Sequence, residues 1–356
     1  MTPPQAADAR PGPTTTTKRP GPAGGMRRVL LWLVLSVAVL AVASALSLAV
    51  GANALPLSTV WEALTNYNAD NPDHLVIVEK RLPRTLVGLA AGAAFAVAGA
   101  VMQGLTRNPI AEPGLLGVNS GASLAVVIGI TVFNVTDAGG YVWFAFAGAA
   151  AASVLVYAIG SRGREGSTPV KLALAGAAVT AVLTSLVSAV LLTNRTALDS
   201  MRFWQVGSLA ARDLDILWRT LPSIAAGLLL ALAISRALNG LALGEDVARG
   251  LGQRVGLTRA LAAVCIVLLC GGATAAVGPI GFIGLIVPHA VRHYVGPDHR
   301  ALLPLCAVTA PSLLLVCDVI GRVVSRPGEL QVGVIAALVG APLFIALIRP
   351  RKAVSL

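Results

Sequence analysis

Two histidines, His289 and His293, stand four residues apart, a spacing that puts both imidazoles on one face of a helix. A metal centre needs a third ligand and groups that orient the first ones. None is evident, so the pair reads as polar residues at the inner end of a helix. His74 stands alone, and His299 lies in a turn with Asp298 and Arg300. The cysteines Cys265, Cys270, Cys306 and Cys317 sit in apolar runs without CxxC spacing and read as small buried hydrophobes. Neither GxxxxGK[ST] nor HExxH occurs, so the chain has no P-loop with which to hold ATP and no zincin signature.

The remaining chemistry is charge, in three clusters. Arg81-Leu82-Pro83-Arg84 offers two guanidinium groups, which bind carboxylates bidentately. Met102 to Asn119 is a polar reversal rich in residues that interrupt helices, including Asn108, Pro109, Ile110, Pro113, Gly114 and Gly117. Leu241 to Gly252 reads as a short helix. Gly244 followed by Glu245 and Asp246 suits its start, where acids meet the positive dipole end. Gly250 and Gly252, which follow Arg249 and flank Leu251, suit its termination. Asp318 stands four residues before Arg322, so the two can pair on one helix face.

The elements that position these clusters follow from composition. Of 356 residues, 56% are hydrophobic and 12% charged, against about 25% charged in a soluble domain. An ordinary soluble enzyme, a secreted disulfide scaffold and a disordered protein are excluded. Residues 1–28 read as a disordered, Pro- and Thr-rich cytoplasmic tail. The run from Val29 to Val50 carries no charge. It is too long for a signal-peptide core and long enough to span a bilayer. Further apolar runs at about 85–105, 113–133, 141–160, 172–193, 219–236, 259–277, 280–293, 301–320 and 330–348 bring the expected total to ten. The expected fold is an all-α polytopic membrane protein, with a permease domain over 29–352 and a cytoplasmic segment at 237–258 within it.

Lys and Arg set the orientation. With the N- and C-termini inside, 18 of the 27 basic residues and six of the 16 acids are cytoplasmic, which leaves +12 inside and −1 outside. The net +11 is thus a membrane-orientation signal and not a nucleic-acid footprint. Ten spans divide into five plus five, an inverted repeat of the kind transporters use. The third span enters through Pro109, Pro113, Gly114 and Gly117; the eighth enters through Gly278, Pro279, Gly281 and Gly284 and is expected to break near Pro288. Gly88 and Gly92 allow close helix approach. Arg81 and Arg84 fall outside, against the bias. Docking to an acidic partner, snorkelling and pairing with Glu79 all remain open for them. Few ionisable groups fall within the spans, which argues against an ion-coupled secondary transporter. A membrane enzyme using His289 and His293 is a further rival.

These clusters, with Gly278 to His289, Glu329-Leu330-Gln331-Val332-Gly333 and Gly340-Ala341-Pro342, resemble the iron-siderophore and vitamin B12 importer permeases. Those are membrane subunits of type II ABC importers. The likeness covers about 29–352. Arg202-Phe203-Trp204-Gln205-Val206-Gly207-Ser208-Leu209 and Asp318-Val319-Ile320-Gly321-Arg322 look most like the ferric-enterobactin permease subunits. The resemblance implies a second, paralogous permease, two cytoplasmic ATPases that hold ATP and Mg, a substrate-binding protein and a ferric-siderophore substrate. Cobalamin, haem or another metal chelate is the alternative cargo. The subunit itself would bind no cofactor and catalyse no reaction. By the same likeness Arg81, Arg84 and Arg322 would meet carboxylates of the binding protein. Gly244, Glu245, Asp246, Arg249, Leu251 and Gly252 would couple to the ATPase. Asn108 to Ile110 would form the inner gate with Thr168, Pro169 and Val170, although Pro169 and Val170 depart from the small hydroxyl residues found there in the family.

Overall fold

The computed structural model describes residues 22–51, 54–135, 137–162, 169–326 and 328–348. These form helices and no strand. We number the helices α1 (Pro22–Ala49), α2 (Leu57–Thr65), α3 (Pro72–Thr106), α4 (Val118–Phe133), α5 (Ala138–Gly160), α6 (Pro169–Thr193) and α7 (Arg195–Trp204). They continue as α8 (Leu214–Ala242), α9 (Glu245–Gly250), α10 (Val255–Val277), α11 (Ile283–Val295), α12 (His299–Val324) and α13 (Val332–Ile348). By length and composition seven of them can cross a membrane: α1, α3, α5, α6, α8, α10 and α12. The helices α4 and α13 are shorter and apolar. The helix α1 begins at Pro22, several residues inside the expected tail, and residues 1–21 of that tail lie outside the described residues.

The central element is α3, which packs against α12, α8, α11 and α10. Its small residues explain this. A methyl at Gly92 would meet the Pro311 backbone of α12, and one at Gly99 would run into the Gly284 carbonyl oxygen at the start of α11. Van der Waals packing of this kind holds helices together where no water remains to drive them.

The arginine cluster is not a loop before a span. It lies inside α3, at a π-helical turn from Val76 to Arg81 where the Leu82 N–H donates to the Ile77 carbonyl. The wider turn accommodates Pro83, which has no N–H to give.

The expected break at Pro288 is likewise absent: α11 runs through it, and the chain is interrupted earlier, at Gly278 to Phe282. Pro288 leaves the Gly284 carbonyl without its helical donor. The Gln103 side-chain amide on α3 reaches that oxygen at 3.4 Å and the Leu285 oxygen at 3.3 Å, while its own oxygen accepts from Arg292 at 3.0 Å. The helix continues because a neighbour supplies the missing donor.

Candidate functional site

Three arginines and a carboxylate meet where α1, α3 and α12 converge. Asp318 on α12 is 1% exposed. Arg84 grips it with Nε at 2.9 Å and Nη2 at 2.8 Å, and Arg322 Nη2 approaches the same carboxylate at 2.8 Å. The spare Nη1 of Arg84 donates to Glu329 at 2.8 Å. A buried carboxylate is tolerable only with such partners.

The same arginines close the end of α1. A helix C-terminus leaves carbonyls without donors. Arg81 Nη1 donates to the Leu48 and Ala49 oxygens, both at 2.7 Å. Arg322 donates to the Ser47 and Val50 oxygens at 2.9 and 2.8 Å, and to the Ser47 hydroxyl at 3.0 Å. Arg326 reaches the Gly51 oxygen at 2.9 Å. Cations at the negative dipole end are favourable there. Arg81 and Arg322 are therefore buried, at 7% and 2% exposure, whereas Arg84 with Glu329, and Arg326, lie toward the surface.

All three expected docking arginines line one cavity of about 430 Å³, together with Asp73, Glu79, Lys80, Arg212, Asp213 and Glu329. A second cavity of about 360 Å³ adjoins it and shares Ala211, Arg212 and Glu329. Sequence reasoning identified neither Glu329 nor Arg212 as members of this site. Glu329 stands in a quoted motif without a role, and Arg212 follows the Arg202–Leu209 motif by three residues.

At the other end of α3 lies the short helix α9. Its N-cap is Gly244 at φ 110°, and Gly252 follows its end at φ 78°, as the glycines and acids of the sequence imply. Glu245 is held by Arg249 at 3.3 Å and by a short contact with Arg259, which anchors the segment to α10. Val247 and Leu251 are exposed and stand four residues apart, an apolar ridge along one side of α9 and its C-cap, and Leu243, before the Gly244 turn, is exposed as well. Arg107, just after α3, lies against Gly244.

Asn108, Pro109 and Ile110 are exposed, and the Asn108 side chain accepts from the Ile110 N–H at 3.1 Å. Val170 is exposed on α6 and Pro169 is its first residue; Thr168 lies outside the described residues.

The two interrupted segments meet. Glu112, between α3 and α4, accepts from the backbone N–H of Phe282 at 3.1 Å, and Phe282 has φ 70°, a conformation that costs a bulky residue energy. Burial pushes the Glu112 carboxyl above its ordinary value, and the Phe282 N–H partly offsets that. Close by, Thr274 donates to the Asn119 side chain at 3.1 Å. The sequence counts Glu112 among the six cytoplasmic acids, and the structure makes it a partly buried tie between the segments.

His289 has an edge contact with the Phe344 ring, with centroids 6.3 Å apart, and His293 is exposed. Among the described residues no group of three His, Cys, Asp or Glu side chains could hold a metal ion.

The description "FecCD transport family" matches residues 39–350. The chain is 50% identical over 312 residues to the ferric enterobactin transport system permease protein FepD of Escherichia coli K12, covering 87% of this chain and 92% of that one. It is 41% identical over 320 residues to the iron(3+)-hydroxamate import system permease protein FhuB of Bacillus subtilis, covering 90% and 83%. A solved structure assigned to a metal-chelate type ABC transporter in an inward-facing conformation aligns with TM-score 0.78 at 28% identity, over 90% of this chain and 99% of that one. The matched region contains every residue of the arginine cluster, the α9 ridge and the Glu112–Phe282 tie, and on that ground this chain, a multi-pass protein of the cytoplasmic membrane, belongs to the FecCD transport family.

Proposed function

We propose that this permease carries ferric-siderophore chelates inward, as one half of a two-permease core driven by two cytoplasmic ATPase subunits and supplied by a substrate-binding protein. The second permease is a paralogue. ATP and Mg belong to the ATPases, and this subunit contributes the path and the contacts. The names of the enterobactin and hydroxamate permeases support the cargo class.

One observation carries the partner arrangement. In the helix α3, Arg84 stands just after the π-helical turn and Arg107, against Gly244, just past the end. At 1.5 Å per residue the stretch from Arg84 to Thr106 is about 33 Å, close to the thickness of a bilayer core. A charged cavity thus stands at one membrane face and an apolar ridge at the other. Carboxylates of a binding protein suit the first. A cleft in an ATPase suits the second, with Val247 and Leu251 as the inserted ridge and Gly244, Glu245, Asp246, Arg249 and Gly252 as the frame that holds it.

In this reading the chain crosses ten times with both termini inside. The spans are α1, α3, 113–133, α5, α6, α8, α10, 278–295, α12 and α13. Glu112, just before the third span, meets Phe282 of the eighth, as a five-plus-five repeat would bring these two segments together. Asn108 to Ile110 and Thr168 to Val170 frame the inner gate.

Docking falls chiefly to Arg84, which would exchange Glu329 for a carboxylate of the partner. Arg81 and Arg322 stand behind it as positioning residues. Arg84→Lys, which keeps a cation beside Asp318 but loses the forked donors, should weaken stimulation of ATP hydrolysis by the loaded binding protein, with a thermal melt of the purified permease as the control for folding. Normal stimulation would dismiss the docking role.

A further inference from the structure

The second outer cavity has its own chemistry. It lies between the start of α5, the end of α7 and the connection from Ser208 to Arg212, and it measures about 360 Å³. That is within the usual range of small-molecule sites, about 300–1,000 Å³. Its lining includes the aromatic residues Tyr141 and Trp204, the hydroxyl residues Ser200 and Ser208, the amide residue Gln331 and the guanidinium of Arg212. Aromatic walls with a few convergent polar groups are the ordinary make-up of a ligand site.

Arg212 is the unusual member. Its Nε donates to the Ser208 carbonyl oxygen at 3.3 Å, while among the described residues neither terminal nitrogen has a hydrogen-bond partner. The other cavity arginines are engaged: Arg84 by two carboxylates, Arg81 and Arg322 by α1 carbonyls. The Asp213 side chain beside Arg212 accepts from the Ile216 N–H at 3.1 Å as the cap of α8. Glu329, on the cavity rim, is held by Arg84. Burial lowers the pKa of Arg212, and the charge of Asp213 opposes that. A guanidinium with two free forked donors facing a cavity is suited to paired anionic oxygens.

Ferric chelates differ in this respect. Catecholate oxygens leave the tris-chelated iron negatively charged and present planar rings. Hydroxamate oxygens leave it neutral and present no aromatic ring.

Building on the importer reading above, we infer that Arg212 and the cavity lined by Trp204 and Tyr141 form a recognition site for anionic catecholate chelates of iron(III), one arm entering the cavity with its oxygens on the Arg212 terminal nitrogens. The site makes this permease selective among chelates at its outer entrance. The Arg202–Leu209 motif gains a purpose thereby, since Trp204 and Ser208 belong to it.

The test uses the purified full-length permease in detergent. Tryptophan emission is followed during titration with iron(III) tris-catecholate, which absorbs in the emission band, and with neutral iron(III) tris-acetohydroxamate. Saturable quenching by the catecholate complex is expected, and Trp204→Phe should reduce its amplitude. Arg212→Gln should raise the midpoint at least about tenfold, since the charge and the forked donors are lost together. Arg212→Lys, which keeps the charge, should raise it less. The hydroxamate complex should give little saturable quenching in any of these proteins. The inference is overturned if the wild-type protein shows no saturable quenching by the catecholate complex. It is also overturned if Arg212→Gln binds as the wild type does, or if both chelates bind equally well and are equally weakened. Reduced ATPase stimulation by the binding protein in Arg212→Gln, with chelate binding intact, would mark a protein-docking surface and equally overturn it. Cellular uptake on deletion of the gene tests the importer reading separately, so either can fail without the other.

Discussion

Arg84 and Asp318, 234 residues apart in the chain, form a two-pronged ion pair at 2.8 and 2.9 Å. The carboxylate is also shared with Arg322, whose other donors cap the carbonyls of α1. Three helices from distant parts of the sequence are thereby tied at a single buried charge.

Asp318→Asn should accordingly be costly. It keeps the shape but leaves two guanidinium groups short of a counter-charge, a loss on the order of 3–5 kcal/mol for a buried pair. Glu329→Gln provides the contrast. Its side chain is 35% exposed, so the loss should be under about 1 kcal/mol. Thermal unfolding of the two purified variants checks the order. Equal destabilisation would contradict the claim that Asp318 is the structural centre of the cluster.

The contact between α3 and α11 makes a second expectation. Gly99→Ala places a methyl against the Gly284 carbonyl, where only backbone can move aside. Overpacking of this kind costs about 1–3 kcal/mol. Gln103→Leu, which deprives two carbonyls and Arg292 of their partner, should cost about 1–3 kcal/mol. A wild-type melting temperature in both variants would show that this interface is not tightly packed.

Some of this was legible in the sequence. The α9 boundaries followed from Gly244, Glu245, Asp246 and the glycines at 250 and 252, because capping is local. Asp318 with Arg322 followed from helical spacing. The partners Arg84 and Asp318 did not, since sequence separation hides them and no local rule links them. Glu112 reads only as one acid of the cytoplasmic reversal until the Gly278–Phe282 interruption is seen folded against it. The helices α2 and α7 were missed because both are short and amphipathic. Asn194, whose side chain caps α7 by accepting from the Ala197 N–H, was the available signal. The expected break at Pro288 failed because Gln103, on another helix, replaces the lost donor.

The apolar ridge on α9 predicts a clean separation of functions. Val247→Asp should leave the fold intact, because the side chain is exposed. It should nonetheless prevent recovery of the ATPase subunit with the permease. Glu245→Gln acts differently, by loosening the anchor to Arg249 and Arg259. Co-purification from cells expressing the whole importer distinguishes the two. Full recovery of the ATPase with Val247→Asp would remove the ridge from the coupling interface.

Glu112 gives a pH-dependent expectation. Its folded pKa is raised by burial, so its protonated form is the one the fold favours. The contribution is complete below the unfolded value, about 4.3, and is lost as pH rises through the raised folded value. Glu112→Gln keeps an oxygen for the Phe282 N–H and removes the titration. The variant should melt no lower than the wild type at neutral pH and should lack the decline in stability across that window. Thermal melts from pH 4 to 8 measure it, and an unchanged slope in the variant would contradict the assignment.

The central claim is ATP-driven entry of a ferric siderophore through this chain. The most direct measurement is uptake of radioiron-labelled ferric tris-catecholate siderophore by cells lacking the gene, with and without a plasmid copy, under separate depletion of ATP and of the ion gradient. The account predicts that uptake disappears on deletion, returns with the plasmid, fails when ATP is depleted and persists when only the gradient is collapsed. Uptake that continues without the chain, or that survives loss of ATP and vanishes with the gradient, would contradict it.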